Sequence, residues 1–160
     1  MSEHVIVCFV RLEVPSAEAA IRALARALHL AGRVKDTFEA AAVARERRSP
    51  TGLPFEGGAV ALPHAEPEHV VAPALAVATL ARPVKFREMG SPATALDVGL
   101  VVMPALTAKE QAGAGLARVI ELLQNGPLRA ALAGAADEVA MRALLAPVWT
   151  ASEGPPRGTA

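Results

Sequence analysis

The chain has 160 residues, no formal net charge and 52% hydrophobic residues, yet only 3% aromatics. That length suits one domain with a sizeable core, and the charge balance gives no electrostatic case for nucleic acid or an anionic membrane as partner. The single cysteine, Cys8, excludes an intramolecular disulfide and suits a reducing compartment; set in the apolar run from Val5 to Val10, it reads as a small buried hydrophobe. No apolar run approaches the ~20 residues needed to cross a bilayer, and the start at Met1 lacks the basic region of a secretory leader, so the expected location is cytoplasmic.

In chain order, Val5 to Val14 is β-branched and alternates weakly, which predicts a strand. Ser16 is an N-cap for a helix whose apolar stripe is Ile21, Leu24, Ala25 and Leu28, with Gly32 closing it. His29, near its C-terminal end, reads as solvated or packed. Asp36 or Thr37 caps a second helix ending near Arg47, with Arg45, Arg47 and Arg48 at its dipole-negative end. Ser49 to Gly58 is loop, and Ala59 to Leu62 a strand stopped by Pro63. Strands are predicted over Ala74 to Leu80 and Pro83 to Phe86, then a turn over Met89 to Pro92. Val98 to Met103 is a continuous apolar run, hence a strand buried on both faces, ending at Pro104. One long helix is expected from Thr107 or Ala108 to Gln124, a short one from Pro127 to Ala133, and a last one capped by Asp137 and ending at Leu145, with Trp149 as an anchor. Strands separated by helices imply an α/β fold, a mixed central sheet flanked by helices on both faces. The expected division is one domain over residues 1–148 and a disordered Gly/Pro-rich tail over 149–160.

The stretch from Arg45 to His69 carries the chemistry. His64 directly follows the strand-ending Pro63, so it stands at a sheet rim where an imidazole can act as nucleophile, base or ligand. A lone histidine is more often structural. Here a second histidine, His69, lies five residues on, Glu66 and Glu68 stand between them, and an arginine-bearing helix end and a glycine-containing loop precede the strand. Arginine and backbone amides are what a phosphoryl group needs, because its charge is spread over several oxygens. The rival is a metal site: His64 and His69 with Glu66 or Glu68 supply enough donors for zinc. Their spacing matches neither a helical i, i+4 pair nor a finger pattern, and no thiol joins them, so no metal is expected.

These residues also carry a resemblance. Arg45-Glu46, Pro50-Thr51-Gly52-Leu53-Pro54, the run from Gly58 to His64, Glu68-His69-Val70, Pro83-Val84-Lys85-Phe86, Met89-Gly90 and the run from Asp97 to Met103 resemble the fructose–mannitol type IIA components of the bacterial phosphoenolpyruvate-dependent sugar phosphotransferase system, the galactitol type most closely. The resemblance implies a phosphotransferase relay protein without cofactor. The family's phosphorylated histidine falls on His64 and its site arginine on Arg45, with Thr51, Gly52, His69 and Gln111 as candidate helpers. It implies a histidine phosphocarrier protein as donor, a cysteine on a IIB component as acceptor, and a membrane IIC component that delivers the sugar. Many relatives place a second site histidine near the start of the helix after the apolar strand; Gln111 stands in that neighbourhood here, as a glutamine often does in the galactitol type. A regulatory module, in which the same phosphorylation tunes affinity for a partner protein, is the alternative. Galactitol, another pentitol or hexitol, and fructose all stay open as the sugar.

Overall fold

The computed structural model of the chain describes residues 5–150. The order is β1 (Val5–Leu12), α1 (Ala17–Leu30), α2 (Phe38–Arg48), β2 (Gly52–Leu53), β3 (Ala59–Ala61), a 3-10 turn (Pro67–His69), β4 (Ala74–Glu88), β5 (Ser91–Ala105), α3 (Ala108–Ala112), α4 (Gly115–Gln124), α5 (Gly126–Ala133) and α6 (Glu138–Thr150). β1 runs parallel to β4, β4 antiparallel to β5, β3 parallel to β5, and β2 antiparallel to β3. Gly52 of β2 also meets Glu88 at the far end of β4, so β4, β5, β3 and β2 close on one another there. That closure needs a glycine: a Cβ at Gly52 would lie 2.6 Å from the Arg87 carbonyl oxygen.

The sheet is buried on both faces, and β4 shows how. Ala74, Ala76 and Ala78 pack with Ile21, Leu24 and Leu28 of α1 and Phe38 of α2. Leu75 and Val77 point the other way, into a second core with Leu122, Leu123, Leu132, Met141 and Leu145. Strand side chains alternate between faces, so small residues admit α1 closely while larger ones fill the space under α4, α5 and α6. Each fully buried Leu or Phe contributes ~1.5–3 kcal/mol. The mixed sheet between helical layers is the expected architecture. Ser16 caps α1 by accepting the Ala19 N–H at 3.1 Å, and Asp137 caps α6 by accepting the Ala140 N–H at 2.8 Å. Cys8 is buried as expected.

Several boundaries differ from the sequence reading. The predicted strands 74–80 and 83–86 are one strand; the register slips between Thr79 and Val84, and Pro83, which has no N–H to donate, sits in that irregular stretch. β5 begins at Ser91 rather than Val98 and continues through Pro104 to Ala105. Thr107 caps the following helix as expected, but that helix breaks after five residues, with Gly113 at its C-cap and α4 starting at Gly115. A Cβ at Gly115 would meet the Glu110 carbonyl oxygen at 2.8 Å, so the break depends on glycine there. Thr37 stands at the N-cap of α2 without capping it. α6 runs past Leu145 to Thr150 and buries Trp149. The disordered tail expected over 149–160 is corrected at 149 and 150, which belong to α6; the rest of that expectation, 151–160, lies outside the described residues.

Candidate functional site

β3 is held between β5 and β2, and the chain leaves it through Leu62 and Pro63 to His64. The His64 ring is half-buried, and its Nδ1 lies 2.8 Å from the Leu62 carbonyl oxygen. A carbonyl only accepts, so Nδ1 carries the proton and donates it, and Nε2 keeps its lone pair. Burial pulls the His64 pKa below the ordinary 6.5; the Leu62 carbonyl opposes that, Arg45 reinforces it and Glu66 opposes it. The neutral ring with a bare Nε2 is therefore the prevailing form near neutral pH.

Arg45 and Glu46 leave α2 in its last turn toward different partners. Arg45 donates to Glu66, and Arg48 reaches the same carboxylate oxygen at 3.9 Å. The Arg45 Nε–H is buried without a hydrogen-bond partner. The Glu66 carboxyl is held below its ordinary pKa, first by its own backbone amide, then by Arg45 and Arg48. Glu46 turns inward. One of its oxygens accepts the Thr51 N–H at 2.9 Å and the other accepts the Thr51 hydroxyl at 2.8 Å, while burial pushes its pKa up. The Thr51 hydroxyl oxygen in turn accepts the Leu62 N–H at 3.0 Å.

The candidate helpers separate on this geometry. Thr51 spends both its donors on Glu46, so its amide is not offered to an anion; its place is behind His64 rather than around it. Gly52 serves the close approach to Arg87. His69 lies on the 3-10 turn with Nδ1 2.8 Å from the Thr37 hydroxyl and Nε2 3.8 Å from Glu68, and its carbonyl accepts the Lys35 N–H at 2.9 Å. It staples that turn to the start of α2 and makes no hydrogen bond to His64. Gln111 is half-buried on α3, which packs against the 3-10 turn, and no hydrogen bond joins it to His64 either. Among the described residues no group of three or more His, Cys, Asp or Glu side chains is placed to hold a metal ion. Sequence alone assigns no role to Glu46; it enters only as the neighbour of Arg45 in the pair that carries the resemblance, five residues ahead of Thr51.

Two clefts flank the sheet away from His64. The larger, about 330 Å³, is at the N-terminal end of β3, lined by Gly57, Ala59, Thr79, Gly99 and Arg129. The smaller, about 190 Å³, lies under α1 and α2. Neither cleft is lined by His64, whose half-buried ring follows the end of β3.

A sequence profile of the family described as phosphoenolpyruvate-dependent sugar phosphotransferase system, EIIA 2, matches residues 3–147. The chain belongs to this EIIA type 2 family. Its place is therefore among the phosphotransfer components of such systems. No curated protein sequence matches significantly. Among solved structures, IIAMtl of Escherichia coli in complex with phosphorylated enzyme IIBMtl is 22% identical, with 88% of this chain and 94% of that one covered and a TM-score of 0.71. The mannitol-specific cryptic phosphotransferase enzyme IIA CmtB of Escherichia coli is 19% identical over 92% of each chain, with a TM-score of 0.69. Nitrogen regulatory protein IIA-Ntr of Neisseria meningitidis is 21% identical, with 89% of this chain and 92% of that one covered and a TM-score of 0.62. At these identities the likeness is one of fold. Among the described residues no helix is long and apolar enough to cross a membrane.

Proposed function

We propose that this EIIA chain is a phosphocarrier that takes a phosphoryl group on Nε2 of His64 from a histidine phosphocarrier protein and passes it to a cysteine of a IIB component, which serves a membrane IIC component for a galactitol-like sugar. The observation that carries this reading is the Nδ1–H bond to the Leu62 carbonyl, which leaves Nε2 as the nucleophilic nitrogen, with Arg45 nearby. In the transfer, the Nε2 lone pair forms the new N–P bond while the donor's N–P bond breaks and its electron pair stays on the donor imidazole. His64 keeps its Nδ1 proton throughout. Arg45 receives the phosphoryl oxygens. Its guanidinium fork and its unpaired buried Nε–H supply the donors, and Glu66, which holds that fork in the free chain, gives it up.

The chain is incubated with phosphoenolpyruvate and the two general upstream proteins, and its mass is measured. A gain of one phosphoryl group, absent in His64→Ala, is expected; undiminished labelling of His64→Ala overturns the assignment. A regulatory role is the second reading, favoured by the structural likeness to IIA-Ntr. Transfer to a purified IIB component separates the two, since a purely regulatory module would hold its phosphoryl group.

A further inference from the structure

The polar contacts behind His64 form one continuous path. The Glu46 carboxylate accepts the Thr51 N–H and O–H at 2.9 and 2.8 Å, the Thr51 hydroxyl oxygen accepts the Leu62 N–H at 3.0 Å, and the Leu62 carbonyl accepts the His64 Nδ1–H at 2.8 Å. Thr51 and Leu62, in the middle of the path, are each 3% exposed, so the bond between them is shielded from water, while Glu46 and His64 at its ends are half-buried.

The direction of every bond is fixed. The Thr51 oxygen faces a backbone N–H, so its own proton must go elsewhere, and a carboxylate, which only accepts, takes it. The two-point grip of Glu46 fixes the Thr51 backbone as well as its hydroxyl. Leu62 is then anchored by its N–H, and Pro63 confines it to extended backbone, so its carbonyl has one direction open. The N–H and C=O of Leu62 belong to different peptide groups separated by its Cα. What passes along the path is therefore position rather than polarisation.

We propose that Glu46, acting through Thr51 and Leu62, is the positioning residue that holds His64 in the Nδ1–H tautomer and leaves the lone pair on Nε2. The proposal rests on the reading of His64 as phosphoryl acceptor, but its test does not. The tautomer of His64 is read in the free protein from imidazole ¹⁵N shifts, at a pH where the ring is neutral. The parent chain should show a protonated Nδ1 and a bare Nε2. Thr51→Val and Glu46→Gln should move His64 toward a mixture with the Nε2–H form and slow phosphoryl acceptance by ~10- to 100-fold, the loss expected of a misplaced reacting group. Thr51→Ser, which keeps the hydroxyl, should restore both readouts. Should Thr51→Val fail to fold, the near-isosteric Glu46→Gln decides. A parent tautomer population in Glu46→Gln overturns the proposal, whatever happens to the rate. Absence of label on the parent chain shows in a separate measurement and overturns the acceptor reading instead.

Discussion

The two halves of the site around His64 are built on opposite principles. Behind the ring, Glu46, Thr51 and Leu62 are joined by directional bonds of 2.8–3.0 Å with fixed donors and acceptors. In front of it, Arg45, Arg48 and Glu66 form a half-exposed charge cluster in which one carboxylate oxygen serves two guanidiniums. A buried directional network loses much when one partner goes and so keeps one geometry, whereas an exposed ion pair is worth little and can change partner. A carrier histidine needs both: a ring whose reactive nitrogen does not change, and a counter-charge that can let go of one anion and take another.

The largest break in that contrast should come from Thr51→Val. It strips the Leu62 N–H of its partner and one Glu46 oxygen of the hydroxyl it accepts, while the backbone N–H at position 51 still holds the other oxygen; the expected cost is ~2–4 kcal/mol, read from urea unfolding. A cost under ~1 kcal/mol would put the rear network in the same class as the front cluster. Next comes Arg45→Lys, which keeps the charge but loses the fork. Transfer should slow by ~10-fold, equivalent to ~1.4 kcal/mol of transition-state stabilisation, with an unchanged unfolding curve. Parent rates in both Arg45→Lys and Arg45→Ala would move the role to Arg47 or Arg48. Glu66→Gln should weaken the grip on Arg45 in the free chain and so raise the equilibrium level of phosphorylated protein, by up to ~5-fold for a half-exposed pair. A fall in that level would mean that Glu66 helps to hold the phosphoryl group rather than competing with it.

The smallest effect is that of pH on stability through His64. Its folded pKa lies below the ordinary 6.5, so as pH falls through 6.5 the unfolded chain binds the proton first and stability drops; the loss levels off below the folded pKa. The difference in stability between the parent and His64→Gln should therefore shrink or reverse from pH 7 to pH 5, and an NMR titration should place the His64 midpoint below 6.5. A midpoint above 6.5 would mean that the Leu62 carbonyl and Glu66 together outweigh burial.

The parts of this protein that could be read from its sequence are those where a local signal and the tertiary structure agree. α1 declares itself by its cap and its apolar stripe, and the strand before His64 by an apolar run closed at Pro63. The far half of β5, Ser91 to Asp97, gave no such signal: its residues are mostly small or polar and exposed, and only pairing with β4 makes them a strand. Pro83 reads locally as a break, yet the strand absorbs it in a register slip. In the candidate site, His64 and Arg45 were singled out through their neighbours and a family likeness. Glu46 was not, because its role depends on Thr51 and Leu62 arriving from two other segments, a relation that no periodicity encodes.

The bridge between Gly52 and Glu88 has one more consequence. It ties the two-residue strand beside Thr51 to the far tip of the long hairpin, while the same strand pairs with β3, which leads into His64. Segments that open separately in many domains are here sewn into a ring. The amides of Ala61 and Leu62 should accordingly exchange with solvent only when the whole domain unfolds.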